Sequence, residues 1–244
     1  MAREDFDRAL VDLESRVVLL GGMVETAVMR ALKALEDRDL EESRRVIEDD
    51  DQIDDQRFEI EEACIELVRR EAPIARDLRR IMSILFIASE LERMGDYAEG
   101  IAKISLAMGD EPPLKELIDI PRMVQISVGM LKRSLEAFLE RDPERVTDIA
   151  ASLGPDDGAV NDLYDTVKAD LIELMKADPD NVERVTYLVW LGHNIERMAD
   201  RATNIAERAV FQATGDVVRV SHDAPAGAPA LRRWTQPGGR SARR

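Results

Sequence analysis

Glu92-Arg-Met-Gly-Asp96-Tyr-Ala-Glu-Gly100-Ile-Ala decides the fold, because it returns 104 residues later as Glu196-Arg-Met-Ala-Asp200-Arg-Ala-Thr-Asn204-Ile-Ala. Each copy sets a Glu and an Asp four residues apart. On a helix both carboxylates then project from one face, one turn above the other. The same phrase in two halves of a chain implies an internal duplication. A second echo supports it: Asp50-Asp-Gln-Ile53-Asp54 matches Asp157-Gly-Ala-Val160-Asn161 at an offset of 107. Acidic or amide groups again stand at positions i and i+4. Each half therefore carries two helices bearing an oxygen-rich pair.

Outward from these phrases, apolar residues recur at helical spacing, and no convincing alternating strand precedes the tail. Leu10, Leu13, Val17, Leu20, Val24, Ala27, Val28 and Leu35 mark a first helix. Asp39 followed by Glu42 makes an N-cap arrangement for a second, which runs through Val46, Ile53, Ile60, Cys64 and Leu67 to about Glu71. Pro73 fits the first turn of a third helix, which holds the first phrase and stops near Gly109. Pro121 opens a fourth, through Met130, Leu135 and Phe138. Asp142-Pro143 starts a short fifth segment, with a turn or break at Gly154-Pro155 before Val160, Leu163, Val167, Leu171 and Met175. After a stop at Asp178-Pro179-Asp180, the sixth helix carries the second phrase to about Thr214.

The pattern predicts an all-α fold: two tandem, pseudo-symmetric antiparallel three-helix bundles of six long helices. They occupy residues 1–111 and 112–214, followed by a disordered tail, 215–244. Helices of about 30 residues span roughly 45 Å, so the bundles are expected to be elongated rods.

Composition narrows the function classes. A net charge of −16 argues against a general nucleic-acid binder, which needs a basic surface. No uninterrupted apolar run approaches the ~18 residues of a membrane span, and the acidic N-terminus does not read as a secretory signal. The single cysteine, Cys64, excludes an internal disulfide, suits a reducing cytoplasm and reads as a small buried hydrophobe. Residues 215–244 reverse the charge, with six Arg against two Asp. Their Pro, Gly and Arg content reads as a solvated terminus, the alternative being a basic arm that uses Trp234 to touch an acidic partner or membrane lipid.

The paired carboxylates repel one another, so something positive is expected beside them. Metal is one answer, and arginine is another, through Arg57, Arg79, Arg80, Arg93, Arg184 or Arg197. A third is that these faces simply meet water. Neither candidate set contains His or Cys, so hard oxygen donors would favour Mg, Mn, Ca or Fe over Zn or Cu. The Glu-x-x-His pairs of ferritin-like di-iron sites are missing: His193-x-x-Glu196 runs in reverse and is not repeated. No phosphate-binding glycine loop, Ser-His-Asp set or nucleotide fingerprint is present, which counts against an enzyme. Met94 and Met198 read as interior packing, and Tyr187 and Trp190 as core or bundle-edge residues.

On Ser89-Glu-Leu-Glu-Arg-Met-Gly-Asp96, Asn194-Ile-Glu-Arg-Met-Ala-Asp200, Asp77-Leu-Arg79 and Glu61-Glu-Ala-Cys64, the chain resembles the PhoU family over about residues 5–216. The resemblance implies two three-helix bundles related by a pseudo-twofold axis, usually in a homodimer, with metal clusters held by the acidic motifs in some members. Carried over by position, the implied metal ligands are Asp50, Asp54, Glu92 and Asp96 in the first half. In the second they are Asp157, Asn161, Glu196, Asp200 and Asn204. Gly100 stands where the second copy has Asn204, which removes one oxygen donor, and Asn161 replaces an acid, which lowers the charge of the second site. The implied function is a non-enzymatic cytoplasmic regulator of phosphate uptake and signalling. It would join the ATPase of the phosphate ABC transporter to a sensor histidine kinase, hold the starvation response off when phosphate is plentiful, and meet the membrane only through those partners. The alternative is a carboxylate-rich helical protein for metal storage or metal-dependent hydrolysis.

Overall fold

The computed structural model of the chain describes residues 3–112, 114, 117–221 and 231–234. Helices α1 (Arg3–Asp37), α2 (Leu40–Glu71) and α3 (Ala75–Met108) form the first half. The second contains α4 (Asp119–Leu139), α5 (Pro143–Ala151), α6 (Gly154–Ala177) and α7 (Val182–Thr214), with a 3-10 turn over Pro179–Asn181. Asp39 caps α2 by accepting from the Glu42 backbone N–H at 2.9 Å, and Asp142 caps α5 from that of Glu144 at 3.0 Å. The break at Gly154-Pro155 is real and separates α5 from α6. Pro73 behaves differently from expectation: it lies between α2 and α3 instead of in the first turn of α3. The residue before a proline is pushed out of the right-handed helical region, and Ala72 there takes a φ of 43°. Gly215, with φ 81°, closes α7 through its N–H to the Phe211 carbonyl at 2.9 Å.

α3 and α7 are the central pair. α3 packs on α1, α2 and α7, while α7 packs on α3, α4, α5 and α6. A helix covered on several sides cannot keep one polar face, and α3 buries Ile81, Ile84, Ile87, Leu91, Met94, Ala98 and Ile101 around its circumference. Alanines let α7 approach closely, through Ala199, Ala202, Ala206 and Ala209. One continuous apolar core runs through both halves, with Cys64, Met94 and Met198 inside it. Each fully buried Leu or Ile contributes about 1.5–3 kcal/mol. Trp190 is an edge residue, 54 % exposed and set edge-on to Tyr187 with ring centroids 6.0 Å apart.

A buried ion cluster ties the halves at one end. Glu14 of α1 is buried, and accepts from Arg80 of α3 at 2.8 Å and from Arg141, after α4, at 2.5 and 3.1 Å. Burial pushes the Glu14 carboxyl upward, but the Arg141 and Arg80 hydrogen bonds outweigh it and hold the group below its usual range.

The tail is only partly described. Val218–Val220 (β1) and Leu231–Arg233 (β2) pair antiparallel, Val218 opposite Arg233 and Val220 opposite Leu231. The expectation of disorder otherwise falls on 222–230 and 235–244, outside the described residues.

Candidate functional site: the acidic helix pairs

In the first half, Asp50 and Asp54 of α2 lie near enough to Glu92 and Asp96 of α3 for their charges to act on one another. Asp50 packs tightly: its Oδ1 lies 3.2 Å from where a Cβ on Gly95 would stand. A Cβ there would meet the Ile53 side chain closer still, at 3.0 and 3.1 Å, so Gly95 makes room for α2 as a whole. Burial, then the charges of Glu99, Asp96 and Asp54, push the Asp50 carboxyl up to about 7. Glu92 is raised by burial, then by Asp96 and Asp54, and Asp96 by burial, then by Asp54 and Glu99. Glu99 is therefore a fifth member of the set. It continues the same face of α3 three residues beyond Asp96, but the second copy has Thr203 there, so the repeat does not single it out.

Of the expected arginine counter-ions, only Arg197 pairs with a member of the repeated phrases, Asp200 of the second; the others lie elsewhere. Arg57 pairs with Glu61, Arg80 with Glu14, Arg184 with Glu111 at 3.4 Å, and Arg93 with Glu90 at 3.3 Å. Arg79 sits against Gly215. Lys103 binds Glu99 at 2.5 Å, and Arg57, Arg93 and Lys103 only moderate the repulsion at longer range. Among the described residues, Asp50, Asp54, Glu92 and Asp96 make no ion pair with Lys or Arg.

The second half is arranged differently. Glu196 is raised by burial and by Asp200, against His193, Arg197 and Lys168, with His193 Nδ1 3.4 Å from its carboxylate. Asp200 pairs with Arg197 at 3.0 Å, and Arg197 is also held by the Tyr97 hydroxyl. Asp157 is buried at the start of α6, and its charge acts on Glu207 of α7, whose carboxyl burial raises. Asn161 is half-buried on the next turn of α6. Asn204 turns away across the α3–α7 contact and donates from Nδ2 to Glu90 Oε2 at 2.8 Å.

That last bond belongs to a network with no sequence signal. Glu90, 3 % exposed, also accepts from Arg201 at 3.1 Å and from Arg93 at 3.3 Å. By the 104-residue offset, Glu90 corresponds to Asn194 and Gly100 to Asn204. Asn194 occupies the mirrored place against Gly100, where an added Cβ would lie 2.7 Å from its Nδ2. Gly100 thus clears space for Asn194, a role distinct from the lost oxygen donor that sequence comparison suggests.

Among the described residues, no group of three or more His, Cys, Asp or Glu side chains is arranged to hold a metal ion. The first-half donors nonetheless have the right chemistry for a hard cation, being carboxylates that repel one another without a paired base. The second-half set does not fit as arranged, since Asp200 and Asn204 are engaged by Arg197 and Glu90 and Asn161 is neutral.

Comparison with known proteins gives one answer. The PhoU domain model matches residues 17–105 and again 120–209. A phosphate-specific transport system accessory protein PhoU homolog of Rhizobium meliloti is 35% identical over 86% of this chain and 87% of its own length. Its Aquifex aeolicus counterpart is 34% identical over 88% and 96%. The crystal structure of the phosphate transport system regulatory protein PhoU from Streptococcus pneumoniae superposes with TM-score 0.78 at 33% identity, covering 87% of this chain and 99% of that one. PhoU from Pseudomonas aeruginosa gives 0.80 at 32% identity, over 86% and 99%. With two matched domains in two halves built around mirrored α3 and α7 helices, the chain belongs to the PhoU family.

Proposed function

We propose that the chain is a non-enzymatic, cytoplasmic accessory regulator of phosphate uptake. In this reading it links the ATPase of a phosphate ABC transporter to a sensor histidine kinase and restrains the starvation response when phosphate is plentiful. The observation that carries the proposal is the correspondence, in both halves and over 86% of the chain, to relatives named as phosphate-specific transport accessory proteins. A stiff body with a continuous core suits a protein that acts through its faces, and a homodimer would present each face twice. The test is a pull-down with tagged full-length chain from phosphate-replete cells, together with a starvation-promoter reporter in a deletion strain. Recovery of the transporter ATPase or kinase, with the reporter switched on in replete medium, is expected. Recovery of neither, with a silent reporter, refutes the reading.

The repulsion among Asp50, Asp54, Glu92, Asp96 and Glu99 supports a second element. These residues would hold a hard cation such as Mg, Mn or Fe. Once bound, the cation would supply charge neutralisation and an open position for a partner's carboxylate or phosphate. Calorimetric titration with Mn is expected to show uptake that Asp96→Asn abolishes and Asp200→Asn preserves. Equal loss in both variants would place the cation elsewhere.

A further inference from the structure

The family match ends at residue 209, yet the described residues beyond α7 are firmly docked. Val218 is only 7 % exposed, and the Val220 N–H donates to Glu207 Oε1 at 2.8 Å. The Ser221 carbonyl passes so close to α6 that a Cβ on Gly154 would lie 2.8 Å from it. Leu231 of β2 packs against the same core. With that side fixed inward, strand alternation fixes the other side outward.

The outward side is chemically distinct. Arg219 stands directly opposite Arg232, and the Trp234 N–H donates to the Val217 carbonyl at 2.8 Å, placing those two opposite each other as well. Val217 and Trp234 are each 50 % exposed, and both arginines are exposed. Like charges directly opposed across an antiparallel pair are destabilising. Among the described residues, the Arg232 side chain makes no hydrogen bond or ion pair. The ladder thus holds two guanidinium groups and, beside them, an indole and a valine on one solvent-facing surface, in a chain whose net charge is −16.

We propose that this outer face of the β1–β2 ladder is a peripheral docking surface for an anionic membrane leaflet. Arginines meet lipid phosphates, and Trp with a neighbouring aliphatic residue enters the interfacial zone, where indole is favoured. An acidic protein face would satisfy the arginines but not the exposed Trp234 and Val217, so a bilayer, anionic outside and apolar beneath, is the better complement. The acidic body does not forbid the approach, since its field is screened within about 8 Å at physiological ionic strength. The sequence adds to the attraction, with six Arg against two Asp over residues 215–244. Direct lipid contact differs from the expectation that the chain meets membranes only through partners.

The test uses the full chain with vesicles of mixed phosphatidylglycerol and phosphatidylcholine, and with phosphatidylcholine alone. Trp190→Phe leaves Trp234 as the one indole for fluorescence. Co-sedimentation with the anionic vesicles only is expected, weakened by salt and accompanied by a blue shift of Trp234 emission. Arg219→Gln with Arg232→Gln, at unchanged helical circular dichroism, is expected to weaken binding about tenfold or more. Absence of binding to anionic vesicles overturns the proposal, as does undiminished binding by the double variant. Self-association that the double variant abolishes, without vesicle binding, would make a second copy the occupant and also overturn it.

Discussion

Replacing Asp50 with Asn should stabilise the protein at alkaline pH and leave it nearly unchanged at acid pH. In the folded chain, burial and the charges of Glu99, Asp96 and Asp54 push the Asp50 carboxyl from 3.8 up to about 7. Between those values the folded state keeps a proton that the unfolded chain has released. The parent therefore loses stability as pH climbs from about 4 to about 7, and the loss levels off above. A difference of roughly three pKa units sets a ceiling near 4 kcal/mol. Asp50 is only partly buried, so screening reduces the expected gain for Asp50→Asn to about 1–2 kcal/mol at pH 8. Urea unfolding followed by circular dichroism, on parent and variant across that pH range, reads the difference directly. A gain that is absent at pH 8, or equally large near pH 4, would refute the view that the five carboxylates strain one another.

Glu90→Ala should cost about 3–5 kcal/mol by leaving Arg201 buried without its partner. Glu90→Leu with Arg201→Met should recover most of that in denaturant unfolding. Gly100→Ala should drive a methyl group against the end of the Asn194 side chain and, after the helix-propensity gain of Ala, cost at most about 1 kcal/mol. A smaller loss in an Asn194→Ala background, measured as a double-mutant cycle, would identify the amide as the obstacle. Gly154→Ala should raise hydrogen exchange at 218–221 while leaving α3 and α7 protected, because the new Cβ meets the Ser221 carbonyl. Uniform loss of protection would show that the ladder is not a separable layer.

Much of the architecture is legible because local signals agree with the global fold. The caps at Asp39 and Asp142, the break at Gly154-Pro155 and the stop at Asp178-Pro179 each have a stereochemical cause that acts within a few residues. The carboxylate pairs are legible through repetition. Repetition also misleads where the halves differ: Glu90 is hidden because its counterpart is Asn194, and Glu99 because its counterpart is Thr203. Gly100 invites a chemical explanation when the reason is steric. Glu14 and Arg141 meet across 127 positions, with no periodicity to join them. The three-residue strands are too short to show an alternating pattern, and only their docking on α7 and α5 sets them.

The unequal contacts between α3 and α7 bear on how a duplicated protein avoids assembling wrongly. Both halves offer a similar helix, so two first halves or two second halves from different chains could in principle pair. In a first-with-first pairing, the buried carboxylate of Glu90 would face Gly100 and find neither Arg201 nor Asn204. In a second-with-second pairing, Asn194 would meet another asparagine in the space that Gly100 leaves open. Only the mixed pairing adds Arg201 and Asn204 to the Arg93 that Glu90 has on its own helix, and gives Asn194 its clearance. The divergence of these few positions acts as a recognition code between sister domains, selecting against like-with-like pairing of halves from different chains.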